Sequence, residues 1–155
     1  MKLYLIRHAK AEDPGPEGDL ARRLTERGRE EARRVGEALK RLGMRPALIV
    51  ASPALRAQET ARIVASVLEP AGTVEVEETL APGATVDVVL GAARSRAGRG
   101  DLALVGHQPE LGRTAAFLLG EETGAALHLR PADVCGIEIH DLGAPPGRLL
   151  CLLTP

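Results

Sequence analysis

Four side chains suited to phosphate chemistry follow three apolar segments of the sequence. Arg7 and His8 come directly after the apolar run that begins the chain. Arg56 shortly follows a second apolar run, and His107 follows a later one. In an open α/β sheet, ligands bind in the crevice at the carboxyl ends of the strands. Guanidinium groups match phosphate oxygens and a neutral imidazole is a nucleophile, so this pattern predicts a site for a phosphoryl group.

His8 is the candidate nucleophile of this site. An imidazole attacks phosphorus only when it is neutral, and neighbouring guanidiniums disfavour its protonation. His107 can donate to a phosphoryl oxygen. A lone histidine is usually an ordinary core or surface residue, but Arg7 beside His8 and the strand-end position of His107 favour a site. His128 and His140 have no such context, and we predict that both are surface residues.

Arg56 lies close to a predicted helix start. We predict that Ser52 caps this helix and that Pro53 occupies its first position. Side chains on a helix lean toward its N-terminus, so the Arg56 guanidinium would point to the free backbone N–H groups, where anions bind. Ser52 would add its hydroxyl or its backbone N–H as a substrate-binding group.

The elements that position these side chains alternate between strand and helix. Strands are predicted at Leu3–Ile6, Ala47–Val50, Val74–Glu77, Leu102–Val105, Ile137–Ile139 and Leu149–Leu153. Helices are predicted from a Thr25 cap to about Leu42, from Ser52 with inward residues as far as Leu68, over Thr85–Arg94 with an interruption at Gly91, and from Pro109 with inward residues as far as Leu118. This order predicts one domain, residues 1–155, with a three-layer α/β/α sandwich, a mostly parallel sheet and an antiparallel edge.

The composition excludes several classes of partner. The formal net charge is −1, so no global positive field attracts a nucleic acid. The aromatic residues are Tyr4 and Phe117, which leaves no platform on which bases could stack. No apolar stretch is long enough to span a bilayer, so we expect a cytoplasmic protein with no membrane partner.

The remaining composition bears on metals, redox state and source. The histidines and cysteines show no metal-ligand spacing, and we expect neither a metal nor a cofactor. Cys135 and Cys151 are expected to be reduced, buried thiols, with a disulfide left open by the sequence. The sequence contains no Asn and many prolines, which is typical of a thermophile, although a GC-rich genome would also favour Arg, Ala, Gly and Pro.

Three ordered motifs resemble the histidine phosphatase superfamily, which has a phosphoglycerate mutase-like fold. The superfamily hallmark Arg-His-Gly is matched here by Arg7-His8-Ala9, with alanine in place of glycine. The Ser-Pro-x-x-Arg-x-x-x-Thr signature is matched by 52–60, and a third motif by 106–109. An Asp-x-x-Arg-x-Leu-Thr-x-x-Gly element at 19–28 and the short chain are similar to SixA-type phosphohistidine phosphatases.

The resemblance implies a two-step phosphoryl transfer through a phosphohistidine on His8. Arg7, Arg56 and His107 would then hold the non-bridging oxygens in the transition state. It also places Arg22, in the long polar loop Ala9–Arg23, among the substrate-binding residues. The substrate would be a phosphorylated histidine-containing protein, admitted by an open and shallow site. The sequence leaves the oligomeric state open.

The proton donor and the substrate remain open at this stage. Members that cleave phosphate esters use a carboxylic acid, and the candidates here are Glu78, Asp19 or neither. Phosphohistidine needs less help, because its imidazole leaving group is easily protonated. The alternatives to a phosphohistidine phosphatase are a phosphatase or mutase acting on a small phosphate monoester, and a non-catalytic phosphate-binding module.

Overall fold

The apolar runs of the sequence form the strands of one sheet in a computed structural model that describes residues 1–68, 73–121 and 123–155. The strands are β1 (Lys2–Arg7), β2 (Leu48–Ala51), β3 (Thr73–Val76), β4 (Leu102–Gly106), β5 (Val134–Glu138) and β6 (Arg148–Leu153). The helices are α1 (Glu26–Arg41), α2 (Leu55–Leu68), α3 (Val86–Arg94) and α4 (Glu110–Leu118). Two 3-10 turns cover Asp19–Ala21 and Glu78–Leu80.

The strand order is β3-β2-β4-β1-β5-β6. Strands β3, β2, β4 and β1 pair in parallel, whereas β5 and β6 form an antiparallel edge. The predicted mostly parallel sheet with an antiparallel edge is therefore confirmed. Because β1, β2 and β4 are parallel neighbours, their carboxyl ends meet at one edge of the sheet, and the segments that follow them converge there.

Alternation along the strands produces two separate cores. Leu3 and Leu5 of β1 belong to the core that packs against α3 and α4. Tyr4 and Ile6 of the same strand belong to the core that packs against α1 and α2. Successive side chains of a strand point to opposite faces of the sheet, so continuous apolar runs are covered on both sides. The three-layer sandwich is confirmed.

Helix α1 begins and ends as predicted. The Thr25 side chain caps it by accepting a hydrogen bond from the Gly28 N–H at 3.0 Å. Thr25 also donates its own N–H to the Lys10 carbonyl at 3.0 Å. A Cβ at position 28 would overlap that same carbonyl, so glycine lets α1 lie against the segment that leaves β1. Gly43, with a φ of 68°, ends the helix region.

Two helix predictions are wrong. Helix α2 begins at Leu55 rather than at Ser52, and Ser52 instead forms a turn in which its hydroxyl accepts the Ala54 N–H at 3.3 Å. Helix α3 runs without interruption through Gly91. Gly91 is exposed, while Leu90 and Ala92 beside it are buried, so packing of the neighbours outweighs the low helix propensity of glycine.

Two strand boundaries and the burial of one cysteine differ from the predictions. Strand β5 begins at Val134, three residues before the predicted start, and β3 is shifted by one residue. Cys135 and Cys151 are free thiols, but Cys151 is only half-buried. His128 and His140 are exposed, as predicted. No helix in the described ranges is long and apolar enough to cross a membrane.

Candidate active site

His8 follows β1 with its ring fixed in one tautomer. Its Nδ1 lies 2.8 Å from the Ala9 carbonyl oxygen. A carbonyl only accepts, so Nδ1 carries the proton and Nε2 keeps its lone pair. The Nε of Arg56 donates to that Nε2 at 3.2 Å. His8 thus presents a neutral nitrogen nucleophile toward a guanidinium.

Burial keeps His8 neutral. Its pKa is lowered to about 4, chiefly because burial disfavours the charged ring, and the charges of Arg56, Arg7 and Arg22 act in the same direction. The hydrogen bond to the Ala9 carbonyl opposes this shift. The sequence predicts the effect of the guanidiniums, whereas the larger effect, burial, follows from the fold. At neutral pH the ring is a free base.

His107 follows β4 and lies beside His8, with 5.2 Å between the ring centroids. Its Nε2 is 2.7 Å from the Ser52 hydroxyl, and its Nδ1 is 3.4 Å from Nη2 of Arg56. Burial first, and then the neighbouring charges of His8 and Arg56, lower its pKa to about 3. Ser52 is fully buried, and its hydroxyl joins His107 to the turn that precedes α2.

Arg56 connects the two imidazoles to the long loop. Its side chain is 4% exposed. Nε and Nη2 face His8 and His107, while Nη1 donates to the Asp19 carbonyl at 2.6 Å and Nη2 to the Asp19 carboxylate at 2.8 Å. It lies in the first turn of α2, as required for a side chain that leans back over the strand ends.

Arg7 is anchored by a backbone carbonyl. Its Nη1 donates to the Leu129 carbonyl at 2.8 Å. Its Nε is buried and has no hydrogen-bond partner among the described residues, so it is a donor that a bound phosphoryl oxygen would satisfy. The charge of Arg7 lowers the pKa of both His8 and His107, which places it near both rings.

The loop Ala9–Arg23 brings Asp19 and Arg22 to this centre. Arg22 donates to the Asp19 carboxylate at 2.9 Å and, through Nε, to the Glu12 carbonyl at 2.7 Å. The pKa of Asp19 is lowered, first by the hydrogen bond from Arg22 and then by that from Arg56. Arg56 therefore ties the loop to α2, and Arg22 holds two positions of the loop together.

The structure brings seven of the eight predicted site residues together, namely Arg7, His8, Asp19, Arg22, Ser52, Arg56 and His107. Glu78 is the exception. It is exposed in the 3-10 turn after β3, the outermost parallel strand, and no contact joins its carboxylate to His8, Arg56 or His107. In the part of the chain that the structure describes, no group of three or more potential ligands could hold a metal ion.

Two supporting groups were not singled out from the sequence. Thr60 accepts the Ala9 N–H at 3.1 Å and donates to the Arg56 carbonyl at 2.7 Å, which links the segment after β1 to α2. Its place in the Ser-Pro motif was a usable signal. The Leu129 carbonyl that anchors Arg7 is a backbone group, and its side chain carries no such signal. Ala9 is not among the residues with positive φ, so alanine fits where the superfamily hallmark has glycine.

Comparison with known proteins identifies the family of this site. The sequence profile of the histidine phosphatase superfamily (branch 1) matches residues 3–82. An uncharacterized protein of Picosynechococcus sp. is 35% identical over 142 residues, which cover 88% of this chain and 84% of that protein. The chain belongs to the histidine phosphatase superfamily, and it is a phosphatase.

Solved structures with the same fold include two of SixA. A SixA structure from Agrobacterium tumefaciens has a TM-score of 0.85 at 25% identity and covers 99% of this chain and 97% of that one. The protein histidine phosphatase SixA complexed with tungstate gives the same TM-score and coverage at 24% identity. The alpha-ribazole phosphatase from Shigella flexneri has a TM-score of 0.72 at 20% identity and covers 98% of this chain and 96% of that one, which shows a shared fold alone.

Proposed function

We propose that this protein is a phosphohistidine phosphatase that removes the phosphoryl group from a histidine of another protein. The observation that carries the proposal is the state of the carboxylates. Asp19, the carboxylate bonded to Arg56, is paired with a second guanidinium, that of Arg22, and the pKa of Asp19 is lowered. The other candidate acid, Glu78, makes no contact with the imidazoles or Arg56. Among the described residues, the site thus offers no neutral carboxylic acid to a leaving group.

A phosphoramidate suits a site of this kind. An alkoxide leaving from a phosphate ester is a strong base and needs a proton donor as the bond breaks. The imidazole of phosphohistidine can take a proton from solvent on its other ring nitrogen before the bond breaks, so it leaves as neutral imidazole, a weak base. The similarity to a SixA structure supports the same substrate class, since the identity is 25% and the match covers 99% of this chain and 97% of that one.

In the first step, the Nε2 lone pair of His8 forms a bond to phosphorus while the phosphorus–nitrogen bond of the substrate breaks. The leaving nitrogen takes the bonding electrons, and because the other nitrogen of that ring has already taken a proton from solvent, the ring departs as neutral imidazole. Arg56 must release its 3.2 Å contact with His8 Nε2 as phosphorus approaches, and its Nε then faces a phosphoryl oxygen. The guanidiniums stabilise the charge on the non-bridging oxygens.

In the second step, water attacks the phosphohistidine on His8. The new phosphorus–oxygen bond forms, the bond to Nε2 breaks, and the proton of the water passes to solvent as phosphate leaves. The Ala9 carbonyl keeps Nδ1 protonated throughout, so Nε2 regains its lone pair without rotation of the ring. The nucleophile is ready for the next cycle.

The test is phosphate release from a phosphotransfer protein phosphorylated on histidine, measured beside a panel of phosphate monoesters. We expect a higher kcat/KM for the phosphoprotein, and no turnover by a His8→Ala variant. A matched control is His128→Ala, because His128 is exposed and makes no contact with the two imidazoles. The control variant should retain wild-type turnover.

A preference for a monoester would overturn the substrate class but not the chemistry. The protein would then be a small-molecule phosphatase that uses the same histidine, and Glu78 would become the residue to test as acid. Unchanged turnover of the phosphoprotein by His8→Ala would contradict the covalent mechanism itself, since a phosphohistidine cannot then form at this position.

A further inference from the structure

Asp19 contacts one side of the Arg56 guanidinium, and the two imidazoles lie on the other. Nη1 and Nη2 of Arg56 donate to the carbonyl and carboxylate of Asp19, at 2.6 Å and 2.8 Å. Nε donates to His8, and Nη2 also approaches His107. A guanidinium is planar, with its N–H groups in fixed directions. Fixing two nitrogens against Asp19 therefore fixes where Nε points.

The same carboxylate also fixes Arg22. Its second oxygen accepts Nη1 of Arg22 at 2.9 Å, so one residue bridges the two guanidiniums. Asp19 begins the 3-10 turn Asp19–Ala21, and its carbonyl also accepts the Arg22 N–H at 3.3 Å. Its side chain is 50% exposed, whereas that of Arg56 is 4% exposed. Asp19 thus supplies a negative charge to a buried cation from a partly exposed position.

We infer that Asp19 is a positioning residue, whose carboxylate orients Arg56 and Arg22 so that Nε and Nη2 of Arg56 remain directed at the phosphoryl group between His8 and His107. This role excludes the alternative in which Asp19 gives a proton to the leaving group, because a carboxylate bonded to two guanidiniums stays ionised. The lowered pKa of Asp19 agrees with this.

The test compares an Asp19→Asn variant with the wild type on p-nitrophenyl phosphate and phenyl phosphate. A nitrophenolate leaves without a proton, whereas phenolate is a stronger base and leaves more easily when an acid protonates it. A misplaced Arg56 weakens the transition state for both, so kcat/KM should fall by the same factor on each, on the order of 10- to 100-fold. The pH profile should keep its shape, because the Asp19 carboxylate of the wild type stays ionised and gives the profile no limb.

Asp13→Asn is the matched control, since Asp13 is exposed in the same loop and makes no contact with Arg56. It should behave as wild type. Wild-type rates for Asp19→Asn on both aryl phosphates would overturn the inference. A loss on phenyl phosphate alone, with the alkaline limb of the pH profile removed, would overturn it too and identify Asp19 as an acid.

A second variant covers a failure of Asp19→Asn to fold. Asp19→Glu keeps the charge but moves the carboxylate by one methylene, so it should lose activity on both aryl phosphates while its thermal unfolding stays close to wild type. Full activity of this variant would contradict positioning. The inference rests on the proposed phosphoryl-transfer role of the site, but the aryl phosphates test it even if the phosphoprotein proves to be no substrate.

Discussion

Acidification from pH 7 to pH 4 should destabilise the folded protein through His8. The pKa of this ring is lowered from its ordinary value of 6.5 to about 4, with burial as the largest cause. Each pKa unit corresponds to about 1.4 kcal/mol of difference between the two protonation states. The shift at His8 therefore corresponds to about 3 kcal/mol in the free energy of unfolding.

The sign follows from proton binding. Between pH 6.5 and pH 4 the unfolded chain protonates His8 while the folded protein does not, so the unfolded state binds more protons and stability rises with pH. The contribution of His8 to stability is fully present above the pKa of His8 in the unfolded chain, near 6.5. It is lost as the pH falls toward the folded pKa, about 4, and below that value His8 causes no further loss.

The assay is urea denaturation at pH 7.0, 5.5 and 4.0, for the wild type and for His8→Asn. An Asn amide nitrogen can replace Nδ1 as the donor to the Ala9 carbonyl, but Asn does not titrate. Other titrating groups, including His107, remain in both proteins. The free energy of unfolding of the wild type should therefore fall relative to the variant by about 3 kcal/mol over this range.

Parallel pH dependences for the two proteins would refute the reasoning, since they would show that His8 titrates normally in the folded state. The pH dependence of the reaction rate tests the same pKa independently. The acid limb of kcat/KM reports the free enzyme, and it should lie near pH 4 rather than near 6.5. An acid limb near 6.5 would show that the nucleophile is protonated as easily as an exposed histidine.

Three substitutions test the surrounding parts of the site and the fold. Arg56→Ala should cost about 2–4 kcal/mol of transition-state stabilisation, measured from kcat/KM, and near-native turnover would contradict the proposed contact with the phosphoryl group. Ser52→Ala should cost about 1–3 kcal/mol of transition-state stabilisation, measured from kcat/KM, because the buried His107 loses its 2.7 Å partner, and an unchanged kcat/KM would show that the hydroxyl does not orient the ring. Gly28→Ala should reduce the free energy of urea unfolding by about 1–3 kcal/mol, because its Cβ would overlap the Lys10 carbonyl, and an unchanged midpoint would contradict that close approach.

The fold was largely predictable because its signals are local. Short, continuous apolar runs predict strands that are covered on both faces of a parallel sheet. The Thr25 cap marks the start of α1. The failures were at Ser52 and Gly91, where residue type predicts one local structure and tertiary contacts impose another. The Ser52 hydroxyl is used by His107, which comes from a strand 55 positions away in sequence.

The centre itself was predictable for a related reason. Arg7 ends β1, while His8, Arg56 and His107 follow β1, β2 and β4. Parallel neighbours bring their carboxyl ends together whatever the loops do. The sequence was less informative about the carboxylates. Asp19 and Glu78 look equivalent as acids when only their residue type is known, yet one is bonded to Arg56 and the other is exposed beyond β3.

The sequence by itself therefore determined the order of strands and helices along the chain, the family, and the four groups that meet at the strand ends. Only the tertiary structure decided their states: which nitrogen of His8 is free, how far burial lowers its pKa, and which side of Arg56 faces Asp19. The physical reason is that hydrophobic period and motif spacing are properties of neighbouring residues. Tautomer, desolvation and hydrogen-bond partner depend on groups that folding brings together from distant positions.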